Sequence, residues 1–320
     1  MKLVLIGTEG EAHFGILEDL KDQIPGLEIV KELDPARALA AVRDADVIYG
    51  LPSKDLVGAA PNLKWIQSSA AGVEYIARIP EVVESDVLVT NTRGAHGPSI
   101  GEHTFAMLFA LTRYMPECWD RQQARRWDRS DLYRKAREMY GSTMGIVGYG
   151  AIGRAIARRA AAFDMSLLAV DANPVAPDAH VAEVWPLARL GDLLERSDVV
   201  VVAAPLTPES SNLIDAAMLA RMKPSAYLIV VSRGGIVNEA ALAAALTAGG
   251  IAGAALDVTE VEPTPAENPL WDAPNFILTP HMAGASTEKE RRCVEVLKEN
   301  LLRFHRGEPL LNLVDKRRGY

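Results

Sequence analysis

The chain has 320 residues, 49% of them hydrophobic and 24% charged, with a formal net charge of −8. That length suits two domains, and the composition is that of an ordinary soluble globular protein. An acidic balance of this size argues against a nucleic-acid binder, which presents a basic surface, but leaves room for a small acidic ligand in a local basic pocket.

From the N-terminus, short β-rich runs alternate with Ala- and Leu-rich helical stretches. The apolar run at 3–6 is too short for a signal peptide or a membrane span, so no membrane partner and a cytoplasmic location are expected. Strands are predicted at 3–6, 46–49, 63–67 and 87–91, with helices at 11–21 and 35–43, the latter capped by Asp34 before Pro35. A long helical pattern over 98–127 should break at Pro116, and the basic segment 121–137 reads as a solvated arm or an inter-subunit surface. From Thr143 the rhythm becomes stricter. Strands are predicted at 144–147, 166–170, 199–203, 226–231, 251–256 and 276–279, and helices at 152–163, 187–196, 215–222, 239–248 and 287–306. Strands this apolar are buried on both faces, so this is a parallel, six-strand doubly wound pattern. Cys118 and Cys293, 175 positions apart, match no metal spacing and read as buried reduced thiols.

Gly148-Tyr149-Gly150-Ala151-Ile152-Gly153 follows an apolar strand and opens a helix, the context in which a GxGxxG run binds a dinucleotide. The first glycine permits the turn, the second admits a pyrophosphate close to backbone, and the third lets helix and strand approach. The helix N-terminus adds unpaired N–H groups for the phosphates. Asp171 ends the next strand, eighteen residues after Gly153, where a carboxylate accepts ribose hydroxyls and repels a 2′-phosphate; NAD is therefore expected over NADP. Gly7 and Gly10 also follow a strand but lack a third glycine and a matching acid, so they read as a plain turn.

Three charged residues fall at successive strand ends: Arg233 in Ser232-Arg233-Gly234-Gly235, Glu262 before Pro263, and His281 in Thr279-Pro280-His281. Open α/β sheets bind ligands at that edge. A guanidinium fork grips a carboxylate and polarises the adjacent carbonyl. An imidazole exchanges a proton near neutrality, and a neighbouring carboxylate fixes its tautomer. Arg233, Glu262 and His281 are the expected catalytic residues.

These segments carry a resemblance over nearly the whole chain. Gly72-Val73, Asn91-Thr92 with Gly94, Glu102-His103, the glycine run with Asp171, 205–209, 232–237, 257–263, 268–271 and 279–284 match in order. The chain resembles the D-isomer-specific 2-hydroxyacid dehydrogenases. The resemblance implies a Rossmann cofactor domain, 99–282, inserted in a smaller flavodoxin-like α/β substrate domain formed by 1–98 and 283–320, with a cleft that closes on substrate. It gives Arg233 the substrate carboxylate and keto oxygen, His281 the acid/base role and Glu262 its partnership. It also brings backbone N–H groups of Ala71, Gly72 and Val73 to the carboxylate, Ser232 and Asp257 to the nicotinamide amide, and Pro205 and Thr207 to the cofactor cleft. A homodimer through the cofactor domain and the 98–127 arm is implied as well.

The chain departs from the family pattern at Arg93 and His96, read as surface or hinge residues, and at Val230 and Asn238. His103 begins a helix and is expected away from the strand ends, as a buried hydrogen-bonded residue; Trp65, Trp127, Trp185 and Trp271 read as packing residues. Two alternatives share the scaffold: a formate- or phosphite-type dehydrogenase, and a non-catalytic NAD-sensing corepressor-like protein. Formate enzymes typically lack the Glu and carry Gln before the His, whereas Glu262 and Pro280 stand here. Corepressors normally add an extended tail.

Overall fold

Alternating βα units with apolar strands have one good solution, parallel sheets sandwiched by helices. The computed structural model of the chain describes residues 1–7, 10–73 and 75–317. It holds two such sheets, in two compact units: Met1–His96 with Ser286–Tyr320, and Gly97–Ala285.

The first unit contains β1 (Lys2–Ile6), β2 (Glu28–Glu32), β3 (Val47–Gly50), β4 (Trp65–Ser68) and β5 (Leu88–Thr90), ordered β2-β1-β3-β4-β5. Every pairing is parallel. Side chains alternate across the sheet as strand geometry requires. Leu3 and Leu5 pack on one face with Val294, Leu297 and Leu301 of the Thr287–Arg306 helix; Val4 and Ile6 pack on the other. The sequence-predicted 11–21 helix is instead a 3₁₀ segment, Glu11–Leu17, followed by one turn, Leu20–Gln23. Gly15 within it lowers helix propensity.

The second unit contains β6 (Thr143–Val147), β7 (Ser166–Asp171), β8 (Val184–Pro186), β9 (Val199–Val202), β10 (Tyr227–Val230), β11 (Gly253–Leu256) and β12 (Phe276–Leu278). Their order is β12-β11-β10-β9-β6-β7-β8, all parallel. The sheet thus has seven strands rather than the six expected. The chain runs outward from β6 to β8 and returns to β9, so the strand order reverses between β6 and β9. That reversal is where a doubly wound sheet opens a ligand crevice.

The Gly97–Thr112 and Met115–Gln123 helices meet at Tyr114, which has φ 56°. The break precedes Pro116, because proline is tolerated in the first turn of the second helix, where its missing N–H would have no partner. In the basic segment, Arg121 pairs with Asp131 at 2.8 Å, and a short helix spans Ser130–Lys135. Cys293 is buried, but Cys118 is exposed, contrary to expectation. Trp65 and Trp185 are buried, whereas Trp127 is fully exposed and Trp271 half exposed, so these last two do not pack in the core. Among the described residues no helix is long and apolar enough to cross a membrane.

Candidate active site

The glycine turn follows β6 at the reversal. Gly148 has φ +92°, and a Cβ there would stand 2.6 Å from the Ala204 backbone at the end of β9. A Cβ on Gly153 would meet the Gly148 carbonyl at 2.3 Å, so this glycine lets the Ala151–Ala162 helix close on the turn. Gly150 differs. Its φ of −80° suits any residue, and a Cβ would meet nothing within 4 Å. The space that only a hydrogen leaves open lies at the helix N-terminus, where Gly150 offers no side-chain cap. That combination fits a pyrophosphate. Ser232 adds a second fitting feature: its hydroxyl is buried and has no hydrogen-bond partner among the described residues.

Asp171 holds this turn from the end of β7. Its Oδ2 accepts the Tyr149 N–H at 2.8 Å and its Oδ1 the Asn173 N–H at 2.9 Å. Each carboxylate oxygen can accept again, so the ribose role remains open to it. The Tyr149 side chain is fully buried, and its hydroxyl donates to Asp178 at 2.9 Å. Arg154 donates to the same carboxylate at 2.6 Å and lies over the Tyr149 ring. Burial alone would raise the Asp178 pKa, but the His180 and Val181 N–H groups, Tyr149 and Arg154 outweigh it and hold the carboxyl at about 2. No sequence signal marks this clamp, because Asp178 sits in a loop without motif. Ala151 and Ile152 open the helix, Ile152 packing into the core behind the turn. Beyond β9, the Ser210 hydroxyl donates to the Pro205 carbonyl at 2.7 Å and accepts the Thr207 N–H at 2.8 Å, which shapes that wall of the crevice.

The charged residues stand at the ends of β10, β11 and β12, three neighbouring strands. Half-buried Arg233 donates from Nη1 to the Ser232 carbonyl at 2.7 Å. Gly234 lets this loop abut the next: a Cβ there would sit 2.0 Å from the Thr259 backbone. The Thr259 N–H in turn donates to Glu262 Oε1 at 3.2 Å. Glu262 Oε2 lies 2.7 Å from His281 Nδ1, so the two acid/base candidates are paired. Glu239 anchors the same loop by accepting from the Glu260 N–H and the Asn268 amide, each at 2.5 Å. A cavity of about 650 Å³ opens beside the pair, lined by Thr259, Glu262, Trp271, Leu278 and His281 among others. Exposed Trp271 is therefore a wall of the cavity.

His281 has φ 51°, and its N–H donates to the carbonyls of Asp257 at 2.8 Å and Thr279 at 3.0 Å. Asp257, only 2% exposed, accepts from Thr279 Oγ1 (2.6 Å), the Met282 N–H (2.9 Å) and the Ala283 N–H (2.8 Å). His103 Nε2 lies 2.9 Å from that Thr279 hydroxyl. His103 therefore belongs to the strand ends, correcting the expectation that placed it away from them. The helical position alone concealed this, since the contact spans 176 residues.

In the first unit, the Ala71 carbonyl accepts from the Asn91 side chain at 2.8 Å; Gly72 is partly exposed and Val73 buried. Arg93 is exposed, and its carbonyl accepts from Asn312. Asn238 caps the Glu239–Thr247 helix by accepting the Ala241 N–H. No cluster of metal-ligating side chains occurs among the described residues.

A switch-point glycine turn and a carboxylate–imidazole pair, both following strands of one parallel sheet, are the equipment of a nicotinamide-dependent oxidoreductase. Residues 105–283 match the family described as D-isomer specific 2-hydroxyacid dehydrogenase, NAD binding domain. A glyoxylate reductase of Thermofilum pendens is 36% identical over 311 residues, covering 91% of each chain. A D-isomer specific 2-hydroxyacid dehydrogenase family protein from Aeromonas salmonicida superposes with TM-score 0.85 at 31% identity, over 98% of this chain and 99% of that one. An NADPH-dependent glyoxylate/hydroxypyruvate reductase from Sinorhizobium meliloti, in complex with NADP and sulfate, gives TM-score 0.82 at 27% identity over 100% of both. The chain belongs to the D-isomer-specific 2-hydroxyacid dehydrogenases, oxidoreductases that use a nicotinamide cofactor.

Proposed function

We propose that the protein interconverts a small 2-keto acid, of the glyoxylate or hydroxypyruvate kind, and the D-2-hydroxy acid, with NAD(H) preferred. The observation that carries this reading is the 2.7 Å pairing of Glu262 with His281 at the carboxyl edge of the sheet. The bound nicotinamide supplies the hydride in reduction and takes it in oxidation. His281 gives a proton to the alkoxide oxygen in reduction and removes it in oxidation. Glu262 holds Nδ1, which leaves Nε2 for that exchange. Arg233 grips the carboxylate and stabilises charge on the keto oxygen. Gly148, Tyr149, Gly150, Ala151, Ile152 and Gly153 would cradle the pyrophosphate, with Pro205 and Thr207 along the cleft and Ser232 and Asp257 toward the nicotinamide. The carboxylate role of Ala71, Gly72 and Val73 rests on the resemblance.

Asp171 supports NAD, since its carboxylate would repel a 2′-phosphate. A dimer through the 98–127 arm is supported by exposed Met115, Trp119 and Trp127; sedimentation at the mass of a single chain would refute it. Two free cysteines favour a reducing compartment, the cytoplasm. The decisive assay follows NADH and NADPH consumption with glyoxylate, hydroxypyruvate, pyruvate and a bulkier keto acid, and NAD⁺ reduction with formate and phosphite. Turnover of a keto acid with NADH, and a narrowed NAD preference in Asp171→Ala, is expected. Cofactor binding without turnover of any acid would turn the reading to a sensor, and turnover of formate or phosphite alone to the alternative enzymes.

A further inference from the structure

Given the reading in which His281 is the proton donor, we propose that His103 and Thr279 are positioning residues. They form a relay that ties the Gly97–Thr112 helix to buried Asp257 and so fixes the turn that presents the His281 imidazole.

The proton count gives the relay its direction. Thr279 Oγ1 has one hydrogen and lies 2.6 Å from Asp257 Oδ1, 2.9 Å from His103 Nε2 and 3.7 Å from Met107 Sδ. A buried carboxylate is the strongest of these acceptors, so the threonine proton points to it. The hydroxyl must then accept from His103, which carries its proton on Nε2. Asp257 spends its carboxylate on Thr279 and on the N–H groups of Met282 and Ala283, and its carbonyl on the His281 N–H. The four contacts surround His281, whose backbone is left-handed, a conformation that a non-glycine residue keeps only when its surroundings impose it. Ser99, four residues before His103, donates to the Gly284 carbonyl at 3.2 Å, so the same helix holds the far end of the turn as well. Removing the Thr279 hydroxyl takes a donor from buried Asp257, and removing the His103 donor unpins that hydroxyl, so either change frees the turn to relax. Displacements of about 1 Å at a proton donor cost up to about a hundredfold in rate.

The test uses the full chain with Thr279→Val, Thr279→Ser, His103→Leu and His103→Gln. Serine restores the hydroxyl, and glutamine returns an N–H donor near the Nε2 position. We expect Thr279→Val and His103→Leu to lower kcat by about tenfold or more, with KM for the keto acid and Kd for NADH within about twofold. Ser and Gln should recover most of the loss. Proton NMR supplies a readout independent of turnover: the His281 ring N–H facing Glu262 should resonate downfield, shift or broaden in the Val and Leu variants, and return in Thr279→Ser. If kcat and this resonance stay at wild-type values in Val and Leu, the relay does not position His281. Loss of kcat with the resonance unmoved overturns the proposal equally. Should Thr279→Val fail to fold, the His103 pair decides alone. A wild-type protein that turns over no 2-keto acid would sink the enzymatic reading, while the resonance would still report whether the relay sets the imidazole.

Discussion

An imidazole whose Nδ1 is committed to a carboxylate keeps Nε2 for exchange, so in the proposed reaction His281, paired with Glu262, is a directional proton donor. His281→Gln keeps a polar side chain but cannot shuttle the proton. Its kcat should fall by at least about a hundredfold, with NADH binding, read from the fluorescence of the bound cofactor, unchanged. Arg233→Ala should damage KM and kcat together, because a guanidinium on the carboxylate acts in both the ground and transition states. An unchanged KM would remove Arg233 from the carboxylate. That these residues stand at strand ends was legible in the sequence, because each follows a strand in a short polar run. His103 and Thr279 were not. Their relation depends on a helix near the start of the second unit returning to its last strand, and no local pattern encodes such a contact.

Among the elements, the strands missed by sequence reading are β2 and β8, the two that edge their sheets on one side. An edge strand need not be apolar throughout: β2 is Glu28-Ile29-Val30-Lys31-Glu32, and β8 has only three residues, so neither shows the buried-strand signature. The central strands, such as the all-valine β9, were legible for the opposite reason. The glycine turn separates fold from function within one element. Gly148→Ala combines a left-handed φ with a Cβ 2.6 Å from the backbone of Ala204, so it should cost about 2 kcal/mol or more and lower Tm by at least about 4 °C. Gly150→Ala meets no protein atom within 4 Å and should leave Tm within about 2 °C while weakening NADH binding at least tenfold, a loss of roughly 1.4 kcal/mol. Thermal melts beside a cofactor titration separate the two. If Gly150→Ala binds NADH as the wild type does, the open face of the turn is not where the pyrophosphate lies.

For the molecule as a whole, periodicity revealed two βα runs but not which sheet the last helix covers, because helical patterning does not name the sheet a helix packs on. Burial supplies what patterning lacks. Val294, Leu297 and Leu301 are fully buried against Leu3, Leu5 and Trp65, and Phe304 packs 5.4 Å from the Trp65 ring. Asn300, also fully buried, donates to Gln67 Oε1 at 2.9 Å, the acceptor that Thr90 shares at 2.8 Å. A chain ending at Ala285 loses the helix, its packing and the Asn300 hydrogen bond, and keeps only the Thr90–Gln67 bond. Three fully buried aliphatic side chains stabilise by roughly 5–9 kcal/mol, and the lost Asn300 hydrogen bond adds about 0.5–1.5 kcal/mol. Against a total stability of about 5–15 kcal/mol for a domain, the first unit should unfold. Both apolar clusters of the second unit draw on residues between 97 and 285 alone, and so does its glycine turn. The truncated chain should therefore be cut by protease throughout residues 1–96, leave a resistant fragment beginning near Gly97 in the mass spectrum, and still bind NADH. Protection of residues 1–96 after truncation would mean that β1 to β5 hold together without the helix, and that its packing on Trp65 is an accessory to that sheet rather than part of its core.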